Sequence, residues 1–240
     1  MTIEQDREEA LPRVYHFTLD PFCRRLRLAL GEHGVRHALV EVRPWQPEED
    51  FLRLNPLAEV PVLVDGDGTV AAGIYAAAEY VEETRTGDGG ASSLLGNTAA
   101  ERAETRRLLS LFDSRFHAEV SAPVMMEKAL KRLLPSRLGG GAPDTARLRA
   151  ALARLPEYLS LIGELSERRG LLAGEALTLA DLAAAAHLSV LDYLDALRFD
   201  GQEAAKTWYQ RIKSRPAFRP LLADRVGGIA PPAVYAELDF

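Results

Sequence analysis

The apolar and polar positions divide the chain into two regimes. Up to residue 84, short apolar runs of strand length alternate with amphipathic stretches. Val14–Thr18 reads as a strand. Asp20-Pro21 then opens a helix, with Asp as the N-cap and Pro at the first helical position. Phe22, Leu26, Ala29 and Leu30 recur at helical spacing as far as Gly34. Ala38–Val42 predicts a second strand, and Pro44–Asp50 a polar loop with one large apolar residue, Trp45. Val60–Val64, which contains Pro61, predicts a third strand. Asp65-Gly66-Asp67-Gly68 predicts a hairpin turn into a fourth strand, Thr69–Ala72. A helix from about Tyr75 to Glu83 completes the order βαβ, then ββα.

Thr84–Asn97 is rich in Gly, Ser and Thr and reads as a linker. Beyond it the strand signals stop. Leu108, Phe112, Phe116, Val120 and Val124 repeat every fourth residue along one helical face. Leu148, Leu152, Leu155, Leu159 and Ile162 form a second stripe. Thr178-Leu-Ala-Asp181 is a capping box with Asp in place of the usual Glu, opening an Ala-rich helix to Leu197. Trp208–Ser214 predicts a short helix stopped near Pro216. Gly139–Gly141 lacks the strand-to-helix context of a phosphate loop and reads as a flexible joint between helices.

Composition narrows the function classes. Lys and Arg total 29 against 35 Asp and Glu, a net charge of −6, which argues against broad nucleic-acid binding. The single cysteine, Cys23, excludes an intrachain disulfide and a multi-cysteine zinc site. The start, MTIEQDREEALP, is acidic where a secretion signal would be basic and then apolar. No apolar run is long enough to span a bilayer, so a cytoplasmic protein without membrane insertion is expected. No metal-ligand spacing stands out among His16, His33, His37 and His117, and His187 reads as a core histidine.

Five motifs in order resemble the glutathione S-transferase family across Val14 to Leu222. They are Phe22–Leu30, Asn55–Leu63, Glu79–Glu82, Thr178–Asp181 and Trp208–Phe218. The resemblance implies an α/β plus all-α architecture. A thioredoxin-like βαβ–ββα domain (13–84) would follow a flexible arm (1–12), and a linker (85–97) would lead to an all-helical domain (98–226) and an extended tail (227–240). It also implies a cis bond before Pro61, which would present the Val60 backbone to the cleft.

On that resemblance the glutathione site is degenerate at Asp20, Glu59, Val60, Pro61, Gly73 and Ile74. Asp20 stands where a hydroxyl would donate to the glutathione thiolate, and an ionised carboxylate only accepts. Two negative charges ~4 Å apart at a dielectric of ~20 repel by about 4 kcal/mol. A donated hydrogen bond would contribute about 1.5–3 kcal/mol in the opposite sense. The family's Glu-Ser pair falls at Gly73-Ile74, which carries neither group. Glu59 adds negative charge where relatives carry Lys or Gln. Val60 and Pro61 remain as backbone determinants. Cys23, at the third helical position, is either a packed residue or a thiol depressed by the helix dipole and Arg24. Thr18 and Tyr15 carry the other nearby hydroxyls.

The last fourteen residues, Gly227–Phe240, differ in character from the rest. Gly227-Gly228 frees the chain and Pro231-Pro232 holds it extended with no helix. Tyr235, Leu238 and Phe240 then alternate with Glu237 and Asp239, beside a basic segment running from Lys206 to Arg225. The tail suits docking on a partner, or else folds back as a strap. With the Trp45 loop and residues 116–132 and 184–193, it resembles a bacterial cell-division branch of the family. That branch implies a non-catalytic homodimer without cofactor, recruited to the division site, that binds and curves polymers of the tubulin-like protein FtsZ. Tyr235, Leu238, Asp239 and Phe240 would make the contact, with Trp45 a weaker candidate. The competing reading is an active glutathione-dependent transferase of atypical class, using Cys23, Thr18 or a water.

Overall fold

The structure, a computed structural model, describes residues 11–86 and 92–238. The chain forms two compact units, one ending at Ser92 and one beginning at Ser93. Met1–Ala10, residues 87–91, Asp239 and Phe240 lie outside the described residues, and with them most of the expected arm and part of the expected linker.

The N-terminal unit is built on four short strands. In chain order its elements are β1 (Arg13–His16), α1 (Pro21–Glu32), β2 (Ala38–Glu41), α2 (Glu49–Leu54), β3 (Val62–Val64), β4 (Val70–Ala72) and α3 (Ile74–Arg85). The sheet order is β2-β1-β3-β4, with β1 parallel to β2 and the other pairs antiparallel. Each strand alternates, so one face differs from the other. Val14, Leu63 and Ala71 meet Leu26 and Leu30 of α1 and Ile74, Ala77 and Val81 of α3. On the other face Val62 and Val64 meet Val42 and Phe51, with Tyr15 and Leu54 packed alongside.

Helix α2 begins inside the stretch read as a polar loop. Six residues are too few for a periodic signal, and Phe51 alone carries its packing. Asp65 ties the β3–β4 turn to α3. It accepts from the Gly66 N–H at 2.8 Å, the Tyr80 hydroxyl at 2.7 Å and Arg85 at 2.6 Å. Burial raises the Asp65 pKa, but these donors outweigh it and hold the carboxyl below its ordinary value.

The C-terminal unit contains no strand among its described residues. Helix α4 (Ala99–Ser110) runs on through a π-helical stretch (Leu111–Ser121), α5 (Ala122–Met125), a second π-helical stretch (Met126–Leu130) and α6 (Lys131–Leu133). The stripe from Leu108 to Val124 is buried, each of its five residues exposed by 1% or less. Spacing of four residues overshoots an α-helical turn by roughly 40° each time, since one turn takes 3.6 residues. The wider π turns absorb that drift and keep the stripe on one face. Past a short 3₁₀ turn (Ser136–Leu138), Gly139–Gly141 is a tight turn and not a flexible joint. Gly140 N–H donates to Pro135 O and Gly141 N–H to Lys131 O, and a Cβ on Gly140 would sit 1.9 Å from Leu134 O.

Helix α7 (Thr145–Arg169) is followed by α8 (Leu179–Tyr193), in which every residue is buried, and by α9 (Glu203–Lys213) and α10 (Arg219–Leu222). The Asp181 carboxylate opens α8. It accepts from the backbone N–H groups of Leu172 (2.9 Å) and Thr178 (3.0 Å), the Thr178 hydroxyl (3.0 Å) and the Trp208 indole (3.1 Å). Burial pushes this carboxyl up, and the four donors act against it. Midway along α8, His187 Nδ1 lies 2.8 Å from the Ser121 hydroxyl, and His117 Nδ1 lies 3.2 Å from the same oxygen. Burial, with His187 adding to it, lowers the His117 pKa to about 4, so this ring is neutral at pH 7.

Asp181→Ala leaves those donors facing a void. The expected outcome is a loss of about 3 kcal/mol of stability or more. The measurement is the shift of the denaturant midpoint at unchanged slope.

Candidate functional site

Asp20 caps α1. Its Oδ1 accepts from the Cys23 N–H at 2.8 Å, and Pro21 occupies the first helical position. The Cys23 side chain is fully buried. Burial raises its thiol pKa well above the ordinary value, and the Asp20 charge pushes it the same way. The depressed, reactive thiol left open by the sequence is therefore not formed, because the helix dipole is outweighed by burial and a carboxylate.

Of the other hydroxyls near this turn, that of Thr18 is committed. Thr18 is buried, and its hydroxyl donates to Glu41 Oε2 at 2.8 Å. Glu41 also lies 3.4 Å from His16. The half-buried Tyr15 stacks on Phe51, with ring centroids 5.8 Å apart. Beside them Tyr15, Val42, Arg43, Glu48 and Phe51 line an open cavity of about 450 Å³.

The Val60–Pro61 bond is cis. Val60 is half-buried and lies outside the β3 ladder. Pro61 O accepts from the Gly73 N–H at 2.9 Å, which brings the start of β3 against the start of α3. Gly73 caps α3 with φ at 84°, a left-handed value that disfavours side chains, and Ile74 behind it is buried in the core. Glu59 is exposed, and its backbone carbonyl accepts from Asn55 at 2.8 Å. Neither Gly73 nor Ile74 offers a polar side chain.

Trp45, in the same unit, rests edge-on against Phe17 at 5.2 Å. It is half-buried and pins the loop between β2 and α2.

The C-terminal segment departs most from expectation. It is neither free nor wholly extended. Val226 and Ile229 bridge across Gly227-Gly228, and Ala233–Ala236 form a 3₁₀ turn. Pro231-Pro232 sets the approach to that turn without preventing it, since proline is tolerated at a helix start. Tyr235, expected at a partner contact, is 1% exposed, with its hydroxyl donating to Leu221 O at 3.0 Å. The strap reading describes residues 226–237. Val234 and Leu238 are exposed, at 47% and 41%, so they and not Tyr235 offer apolar surface. Pro232 and Val234 form one wall of a cavity of about 530 Å³, with Phe199, Glu203 and Lys206 among its other lining residues.

The basic segment before the tail is also thinner than its composition implies. Lys213 is fully buried and paired with Asp192 at 2.9 Å. The pattern alone did not single out Asp192, Lys213 or Tyr209 as a group. Their signal is an acidic residue, Asp192, in the last turn of a helix whose other residues after His187 and Ser189 are apolar or aromatic.

Two family models match: the glutathione S-transferase N-terminal domain over residues 21–84 and the C-terminal domain over 121–216. FtsZ-localized protein A of Caulobacter vibrioides is 46% identical over 230 residues, spanning 95% of this chain and 97% of its own length. Glutathione S-transferase 3 of Zea mays is 30% identical over 224 residues, covering 88% and 93%. Among solved structures, a glutathione S-transferase from Rhodospirillum rubrum superposes with a TM-score of 0.90 at 44% identity, covering 96% of this chain and 100% of that one. FzlA from C. crescentus gives 0.88 at 45% identity over the same shares. The chain belongs to the glutathione S-transferase family.

The buried, high-pKa Cys23 sets an expectation for thiol chemistry. At pH 8 an aromatic disulfide reagent should label the native chain at least about 100-fold more slowly than the chain in denaturant. Prompt labelling of the native protein contradicts the burial described.

Proposed function

We propose that this chain is an FtsZ-binding member of the family that organises and curves FtsZ filaments during bacterial cell division. It works in the cytoplasm at the division site without transferring glutathione. The observation that carries the reading is the 46% identity to FtsZ-localized protein A across 95% of the chain. The chemistry around Asp20 supports its second half. A carboxylate occupies the turn before α1, and it already raises the pKa of the one thiol beside it. A glutathione thiolate placed there would meet the same charge.

The contact is assigned to Leu238, Asp239 and Phe240, with the exposed Val234 added and Trp45 as a weaker candidate on the other unit. Tyr235 is withdrawn from that face by its burial. A two-fold homodimer would present two such segments. Bivalency raises the effective concentration of the second contact, and a spacing that does not match a straight filament turns binding energy into curvature.

Deleting Leu238–Phe240 leaves the packed residues in place. The expected result is loss of co-sedimentation with FtsZ polymers, by about tenfold or more in affinity. Undiminished binding overturns the assignment. The second reading, an active transferase, is favoured by the 44% identity to the R. rubrum glutathione S-transferase. Calorimetry separates the two. No measurable heat with millimolar glutathione is expected, and micromolar binding would establish a working glutathione site.

A further inference from the structure

Two tyrosines fasten residues 226–237 to the C-terminal unit. The first is Tyr193, the last residue of α8 and fully buried. Its hydroxyl accepts from the Val226 N–H at 2.9 Å and donates to Ile229 O at 2.9 Å. One hydroxyl thus fixes both sides of the Gly227-Gly228 turn. The second is Tyr235. Its ring meets the Tyr193 ring edge-on at 5.2 Å, and its hydroxyl reaches Leu221 O.

Beneath the Tyr235 ring lies a buried ion pair. Lys213 Nζ is 5.5 Å from the centroid of that ring and 2.9 Å from Asp192 Oδ2, which also accepts from the Tyr209 hydroxyl at 3.1 Å. The ammonium is in cation–π range of the Tyr235 face. Withdrawing the ring would open a charged pair to water that the fold otherwise keeps dry. Tyr235 therefore has a built socket, while Val234, just before it, and Leu238, three residues after it, are exposed.

We propose that Tyr235 is the anchor of the C-terminal segment, a positioning residue that governs partner binding without touching the partner. It works together with Tyr193, which no partner reaches. The segment is held in its binding shape before the partner arrives. This rests on the reading that the segment binds FtsZ.

The test uses the full-length chain and purified FtsZ polymers, with two readouts for each variant: affinity by co-sedimentation and amide hydrogen exchange across residues 226–238. Tyr235→Ala should lower affinity by about tenfold or more and speed exchange across the segment. Tyr193→Phe and Tyr235→Phe keep the rings and remove only the hydroxyls. Each should lower affinity by a smaller factor, about fivefold, again with faster exchange. These two carry the test where the alanine variant fails to fold. Leu238→Ala, at the contact, should lower affinity with exchange unchanged. Wild-type affinity in all three tyrosine variants overturns the anchor, and so does an affinity loss at Tyr235 with unchanged exchange, which marks a direct contact. If deletion of Leu238–Phe240 also leaves binding intact, the failure belongs to the assignment of the FtsZ contact to this segment and not to the anchor; a wild-type chain that does not co-sediment at all overturns the FtsZ reading itself.

Discussion

Asp181 is a carboxylate with no exposed surface that gathers four donors from three places in the chain: the Leu172 backbone, Thr178 and the Trp208 indole. A carboxyl group so deeply buried is tolerated only when its oxygens are satisfied. Meeting that requirement fixes the start of α8, the turn before it and α9 at once. The rest of α8 then serves as the spine of its unit. His187 is delivered to Ser121, Asp192 to Lys213 and Tyr209, and Tyr193 to the 226–229 turn. Four polar side chains on one buried helix between them hold α9 at two points, the first π-helical stretch and the 226–229 turn. The order of the unit follows from where that helix begins.

In the N-terminal unit backbone geometry and local charge carry separate messages. The cis Val60–Pro61 bond, the Pro61–Gly73 hydrogen bond and the capped start of α1 are all present. These features position a ligand, but they equally position strands and helices, so their persistence speaks for the fold. Charge is what would act on a thiol. At the turn before α1 the acting group is a carboxylate, and its neighbour Cys23 has its pKa pushed upward by burial and by that charge. Geometry and charge at this turn are therefore separable, because packing and electrostatics are carried by different atoms of the same residues.

Much of this was legible in the sequence, for identifiable reasons. Strands and helices of the first unit announced themselves through alternation, and Asp20-Pro21 and Thr178–Asp181 marked helix starts through side-chain chemistry that is local. Helix α2 was not legible, since six residues around Phe51 carry no period. The every-fourth-residue stripe from Leu108 was read as one buried helical face, and it is one. Its spacing also held the π-helical turns, which an assumption of 3.6 residues per turn conceals. The tail was left open between docking and a strap, and its 3₁₀ turn was not foreseen, because Gly-Gly and Pro-Pro describe local freedom, whereas its course is set by Tyr193 and Lys213, far away in sequence. Long-range sockets of this kind leave no pattern in a single chain.

A segment held by such a socket differs physically from a free one of the same sequence. Fixing a backbone residue costs roughly 1–2 kcal/mol, so a free tail would have to recover several residues' worth of order at the moment of binding. In this fold the Tyr193 hydroxyl and the Tyr235 ring already order residues 226–237, and the cost falls on folding instead. On the proposed function, the exposed Val234 and Leu238 would then need only modest contacts to bind measurably. The same arrangement explains why a buried Lys213–Asp192 pair is compatible with the site. The Tyr235 ring shields the pair from water and offers the ammonium its face, so the strapped shape of the segment and the burial of the ion pair go together.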